Sequence, residues 1–552
     1  MPLSHHRIQI DAVFGDLLAH IVASSPVAAT DLGDHRRDAE LDDWAPSEAD
    51  RRLRELAGLR RRVDELAGTD APDADEAGDL LLLGDSVDAM RFELEGMRSH
   101  ATDPLHYLGL ATGGVYDLIR RVDLPVAPRQ AAAASRAGAV VRLLDQARAN
   151  LTELPEPRRD LALLRLPGAI DLFREVLPGF AVEAAEAGEE AARACEAFGA
   201  WLTDATPSPQ WRLGEQRWND ALRLALGVRM PADEVWERGQ AKLAVLAEQA
   251  EALAGAVLGG SSRGLAGPKL VRAGLEVAAA DCSQRRTLVS DAAEVLGGVK
   301  DFLRAWGEID LPDPDTLRVE EVPDFMQGSA VAYFVPAPPL EPEAASTYYL
   351  SPVPDDWDDE RAGSFLREYN VHALRCVGIH EAYPGHYVQL ASAQRHPRLL
   401  RRTLWNSAFA EGWAVYVERR VIQAGFGGNG NLGDADKLRL ISTKMEMRAV
   451  ANALLDQGLH VHGWDDDQAL RLMVDTTYQE RSEARGKLVR GKTSAGQLST
   501  YFVGGEEMDD LRCDAEARHG STFDALAFHR QVLGQGTPPF AVLRRALLGE
   551  AS

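Results

Sequence analysis

The segment Gly378-Ile379-His380-Glu381-Ala382-Tyr383-Pro384-Gly385-His386-Tyr387-Val388-Gln389 carries a His-Glu pair followed by a second histidine. In zinc-peptidase H-E-x-x-H helices, imidazoles at i and i+4 bind one metal and the glutamate acts as general base. Here the second histidine stands at i+6. On an unbroken helix that offset is about 240° around the axis and about 9 Å along it, so the two rings cannot face one ion. The helix must therefore break. Pro384 has no N–H to bond back to residue 380 and biases Tyr383 away from helical angles, while Gly385 tolerates unusual ones. A loop-out of two residues at Pro384-Gly385 would return His386 to the place of an i+4 ligand.

A third ligand stands further along, in Asn406-Ser407-Ala408-Phe409-Ala410-Glu411-Gly412-Trp413-Ala414-Val415-Tyr416. A carboxylate in so apolar a helix is costly without a cation, a metal or a proton. His380, His386 and Glu411 together make a two-imidazole, one-carboxylate set with a fourth position left for water, and Glu381 is the general base. The bland alternative for Glu411 is an ion pair with a helix arginine. Glu418, beside Arg419 and Arg420, reads as such a pair and not as a ligand. Zinc suits this donor set, and manganese or cobalt would fit it too.

The elements that must position these groups are helical. From residue 1 to about 310, apolar residues recur at three- and four-residue spacing, as in Leu53, Leu56, Leu59, Val63 and Leu66, and from Val182 and Ala185 to Phe198, Trp201 and Leu202. The acidic stretch Asp31 to Asp50 holds Trp44 and Pro46 and reads as an ordered connection. Prolines cluster between 311 and 363, around two β-rich runs, Ala330 to Val335 and Ser346 to Leu350, which predict a hairpin. Helical periodicity returns near Phe365 and is broken by glycine-rich turns at 425–433 and 534–539. The expected organisation is a helical half (1–310), a proline-rich segment with a hairpin (311–363) and a helical half carrying the metal site (364–552), in one continuous globular unit. No repeat of fixed period is visible.

Composition narrows the partners. The 552 residues hold 60 Lys plus Arg against 85 Asp plus Glu, a formal charge of −25, which repels nucleic acid and anionic lipid. Four scattered cysteines form no C-x-x-C pair and suit a reducing compartment. The N-terminal stretch has no basic region followed by an uninterrupted apolar core, and no run of about 18 uncharged apolar residues occurs. A cytoplasmic protein with no nucleic-acid or membrane partner is the expectation.

Four segments in order, His380 to Gln389 (HEAYPGHYVQ), Phe409 to Glu418 (FAEGWAVYVE), Asp456 to Trp464 (DQGLHVHGW) and Gly496 to Gly504 (GQLSTYFVG) followed by Leu511-Arg512, resemble the motifs of the bacterial domain-of-unknown-function family 885. Weaker matches near Pro26 to Gly33 and Leu213-Gly214 extend the resemblance over nearly the whole chain. The resemblance implies a mostly α fold, similar to carboxypeptidase Taq and more remotely to neurolysin, with a deep cleft and a small β-ribbon. It also implies His380, His386 and Glu411 as metal ligands, Glu381 as base and Tyr501 as oxyanion donor. The family's usual R-Y-x-x-x-P-G-Q stands here as Arg490-Gly491-Lys492-Thr493-Ser494-Ala495-Gly496-Gln497, without its tyrosine and proline.

The implied activity is a zinc-dependent peptide hydrolase, carboxypeptidase-like in type. Arg490 and His460 stand behind Tyr501 as further donors to a developing oxyanion. Asp456 and Arg448 are candidates to orient a ligand histidine from behind. Arg448, Arg485 and Arg490 are the cations available for a terminal carboxylate of a peptide substrate. The competing readings are a metal-dependent amidase on a non-peptide substrate and a catalytically silent helical binding protein.

Overall fold

A computed structural model describes residues 4–68, 73–322, 331–341, 343–428 and 432–549. The chain is mostly α, as the apolar spacing predicts, and divides into two compact units. One comprises residues 1–213 with 338–344, and the other 214–337 with 345–552. The first boundary thus falls at Leu213-Gly214, where no compositional break marks it. The proline-rich change near 310 lies inside the second unit.

In the first unit the predicted stripes are the buried faces. Leu56, Leu59, Val63 and Leu66 are buried on Glu48–Ala67, and Phe198 and Leu202 on Ala185–Asp204. Val182 and Ala185 depart from their stripe and are exposed, Val182 in a 3-10 turn ahead of that helix and Ala185 at its first residue. The acidic connection is ordered: Trp44 is buried, and Asp42 accepts from Ser25 Oγ and the Val27 N–H. Arg136, fully buried, donates to the carbonyls of Pro26, Glu40 and Gly114 and so ties it to two helices.

The second unit holds the candidate site. Ala232–Leu258 packs along Leu432–His460 through Val235, Gly239, Leu246 and Ala250, and Gly239 presses on Leu454, where a Cβ would lie 2.9 Å from its side chain. Within Ala232–Ser262 an 18-residue window reaches a mean hydropathy of 1.3, enough by length and composition to cross a membrane, although the stretch as a whole carries Asp233, Glu234, Glu237, Arg238, Lys242, Glu248 and Glu251. Ser407–Gln423 and Thr500–His519 cross at unusually short range because glycine faces glycine. A Cβ on Gly412 would stand 2.4 Å from the backbone of Gly504, and one on Gly504 would stand 2.0 Å from the Ala408 carbonyl. That contact brings the helix of Tyr501 against the helix of Glu411.

The predicted hairpin forms: β2 (Ala332–Val335) pairs antiparallel with β3 (Thr347–Leu350), from Ala332 opposite Leu350 to Val335 opposite Thr347. Ala330, the start of the predicted run, lies outside the described residues. A strand that the sequence did not suggest, β1 (Arg318–Glu321), joins parallel to β3, giving the order β1-β3-β2. Its sequence RVEE offers one apolar side chain, so no alternation announces it.

Candidate metal centre

The helix break falls where the spacing requires. Val371–Glu381 is capped at its start by Asn370, whose side chain accepts from the His372 and Ala373 N–H groups, and it ends at Glu381. The chain then turns through Ala382, a cis Tyr383-Pro384 bond and Gly385, and a new helix, His386–Gln394, begins. Gly385 closes the turn by donating its N–H to the Ile379 carbonyl at 2.9 Å. A Cβ there would lie 1.8 Å from the His380 carbonyl oxygen, so only glycine fits. Trp413 Nε1 holds the turn from the opposite side, donating to the Pro384 carbonyl at 2.9 Å. The outcome is two imidazoles with ring centroids 4.7 Å apart and planes at 84°.

Glu411 completes the group. Asn406 caps its helix by accepting from the Phe409 N–H, and Glu411 projects toward both rings. Its Oε2 lies 3.3 Å from His380 Nε2 and 3.5 Å from His386 Nε2. The atom is buried yet makes no hydrogen bond of acceptable geometry. Two imidazole nitrogens thus stand at short range around one carboxylate oxygen that has no hydrogen-bond partner. Ligands 2.0–2.1 Å from a tetrahedral zinc stand about 3.3–3.4 Å apart, a spacing that the two distances to Glu411 Oε2 match. His380, Glu381 and His386 form a group in which one ligand atom of each lies within 4.8 Å of the others, and Glu411 adjoins it through its contacts with the two histidines.

Burial and the two imidazoles set the electrostatics of the cluster. Burial pushes the Glu381 carboxyl up, against the pull of His380 and His386, which suits a proton acceptor. Glu411 is held well below the usual carboxylate range: burial opposes this, and the two imidazoles outweigh it. Burial raises the Tyr501 phenol and the nearby Glu411 charge adds to the rise, so its O–H stays a donor at neutral pH.

Glu418 corrects a sequence expectation. It is not spent on Arg419 or Arg420: its Oε1 lies 2.6 Å from His380 Nδ1, while Arg419 pairs with Glu446 and Asp509. The signal was present in the spacing, since seven residues after Glu411 is two helical turns and the same face. Glu418, not Asp456 or Arg448, is the group behind a candidate ligand histidine. Asp456 accepts instead from the Gly496 N–H and Ser499 Oγ, because its helix face turns toward the 496–499 turn. Arg448 pairs with Glu483 and Glu368.

A cavity of about 220 Å³ opens beside the cluster, lined by His380, Glu381, Glu418, Tyr501 and Arg490 among others. Arg448, Lys487 and Asn452 also reach it, and the Asn452 Oδ1 is buried without a partner. Burial pushes Lys487 well below the usual lysine range, with Arg448 adding to the effect. His460 does not line this cavity. It ends its helix, buried, with Nε2 2.8 Å from the Gly491 carbonyl. Arg485 is exposed and does not line it either.

The model of a family described as bacterial proteins of unknown function (DUF885) matches residues 26–547. The chain belongs to this family. Two solved structures are similar to this DUF885 chain over their whole length. One, a lipoprotein candidate of unknown function from Shewanella oneidensis, has a TM-score of 0.83 at 24% identity, covering 99% of this chain and 100% of that one. The other, a lipoprotein candidate from Colwellia psychrerythraea, has a TM-score of 0.81 at 17% identity, covering 99% of each. At these identities the likeness establishes a shared fold. No curated protein matches the chain.

Proposed function

We propose that this DUF885 protein is a zinc-dependent peptide hydrolase of the carboxypeptidase type, with a cleft fold akin to carboxypeptidase Taq. One observation carries the reading: the buried, unpartnered Glu411 Oε2, 3.3 and 3.5 Å from the Nε2 atoms of His380 and His386. Zinc held by these three residues would supply Lewis acidity and lower the pKa of a bound water from 15.7 toward about 7. The chain's own groups do the rest. Glu381, raised by burial and within 4.8 Å of a ring nitrogen of each histidine, takes the proton of the attacking water and passes it to the leaving amine. The Tyr501 hydroxyl, held protonated, donates to the oxygen that gains charge on the scissile carbonyl.

The peptide class is supported by β2. Among the described residues this strand is at the edge of the sheet beside β3, and Ala332 at its start and Val331 before it line the cavity. A sheet edge beside these groups suits an extended backbone. Among the three arginines considered for a terminal carboxylate, Arg490 is favoured: Arg448 is engaged by two glutamates, and Arg485 lies off the cavity. Peptides with free and with amidated C-termini test this. Preferred cleavage of the free form supports the carboxypeptidase assignment, and equal cleavage of both points to an amidase or endopeptidase. Metal analysis alongside separates either enzyme from a silent binding protein, which would hold no metal and gain no hydrolysis when zinc is added.

The compartment belongs to the same proposal. Four free cysteines suit a reducing interior, whereas both structural relatives are described as lipoprotein candidates, which favours export or anchoring over the cytoplasm. Fractionation of producing cells decides between them.

A further inference from the structure

The turn that presents His386 is gripped from outside by an acid distant in sequence. Tyr383 lies just before Pro384 and Tyr387 just after His386, and the hydroxyls of both converge on Asp315. Tyr383 Oη donates to the two carboxylate oxygens at 2.7 and 2.8 Å, and Tyr387 Oη donates to Oδ1 at 3.0 Å. The Tyr387 hydroxyl also accepts the Thr316 N–H at 2.8 Å, which fixes its lone proton toward Asp315. Lys300 stands 3.3 Å from the other carboxylate oxygen and 5.0 Å over the Tyr383 ring. The two phenol rings are buried and meet edge to face at 5.3 Å.

Backbone bonds from the Ala382 and Tyr383 N–H groups to the Gly378 carbonyl end the first helix, and three further contacts hold the turn beyond it. Gly385 ties its inner side to Ile379, Trp413 ties the Pro384 carbonyl to the Glu411 helix, and Asp315 ties its two ends. The first two holds fix the backbone between the tyrosines. The third spans both flanks of His386 through side chains. Charge-assisted hydrogen bonds are roughly twice as strong as neutral ones, and a ligand displaced by about half an ångström loses its productive geometry.

We propose that Asp315 is a positioning residue for His386, gripping Tyr383 and Tyr387 so that the imidazole meets Glu411 at ligand spacing. This rests on the metal centre proposed above. The test is a zinc competition titration of the metal-free full chain, with melting temperatures recorded in parallel, for wild type, Asp315→Ala, the double variant Tyr383→Phe/Tyr387→Phe, His386→Ala and Asp315→Ala/His386→Ala.

Asp315→Ala is expected to weaken zinc about 10- to 100-fold, as loss of an outer partner does. The double phenylalanine variant, which keeps both rings, should match it and serves in its place if Asp315→Ala fails to fold. In the His386→Ala background the Asp315 substitution should change affinity less than about twofold, because the ligand it positions is gone. Wild-type affinity in both the Asp315→Ala and the double phenylalanine variants would overturn the inference, as would the same loss with and without His386. Zinc binding by wild type with indifference to Asp315 leaves the metal centre standing. A wild-type chain that takes up no zinc overturns both.

Discussion

Glu418 Oε1 lies 2.6 Å from Nδ1 of His380, while the Nε2 of the same ring faces Glu411 at 3.3 Å. One carboxylate therefore fixes the ring's proton on Nδ1 and leaves the opposite lone pair free for a metal. A carboxylate–histidine pair of this kind raises ligand basicity and sets ring orientation. Glu418→Gln should accordingly lower zinc affinity by about 10- to 100-fold in a chelator competition. Unchanged affinity would mean that the contact does not serve the ligand.

The proposed base and the proposed ligands are separable by substitution. Glu381→Gln keeps the size of the side chain and leaves His380, His386 and Glu411 in place. Bound zinc should remain at the wild-type level while peptide turnover falls by about 10²- to 10⁴-fold, the usual contribution of a positioned base. Full activity in that variant would remove Glu381 from the reaction.

Gly385 tests the turn itself. The missing side chain leaves room for the His380 carbonyl, which a Cβ would approach to 1.8 Å. Gly385→Ala must push the two helix ends apart, at a cost of about 1–3 kcal/mol as for other overpacked sites. Thermal melts should show the loss, and zinc titration should show a weakened site. A variant with native affinity would show that His386 does not depend on this close approach.

Asp456 supplies a stability test outside the catalytic cluster. It is fully buried, and burial pushes its carboxyl up to about 7 against the hydrogen bonds from Gly496 and Ser499. The unfolded chain releases that proton near pH 4, so between pH 4 and 7 the folded state holds a proton that the unfolded state has lost. Stability from this group is therefore greatest below pH 4, falls as pH rises to 7, and is flat above, over a range on the order of 4 kcal/mol. Asp456→Asn should flatten that part of the profile in denaturant melts taken from pH 4 to 8. An identical slope in the variant would contradict the assignment.

The helical class, the hairpin and the interruption between His380 and His386 were legible because each follows from local rules: apolar spacing, β-rich runs between prolines, and the geometry of i+6. Glu411 was legible as a carboxylate with no local partner in an apolar helix. Glu418 was misread because neighbouring Arg419 and Arg420 offered an obvious pairing, whereas those side chains leave the helix at other angles. Arg419 finds Glu446 and Asp509. Asp315 gave no signal at all, since its two tyrosine partners lie about 70 residues away and only the folded chain joins them. His460 and Asp456 share a motif with the family but are committed to backbone and turn contacts, a distinction that spacing does not carry.

The central claim is that three side chains converge on one ion. Zinc titration of the metal-free chain, with X-ray absorption on the loaded form, tests it most directly. One equivalent should bind, with two nitrogen ligands and a carboxylate oxygen about 2.0–2.1 Å from the metal, and His386→Ala and Glu411→Gln should each weaken it sharply. No tight zinc, or zinc held with undiminished affinity after either substitution, would contradict the account.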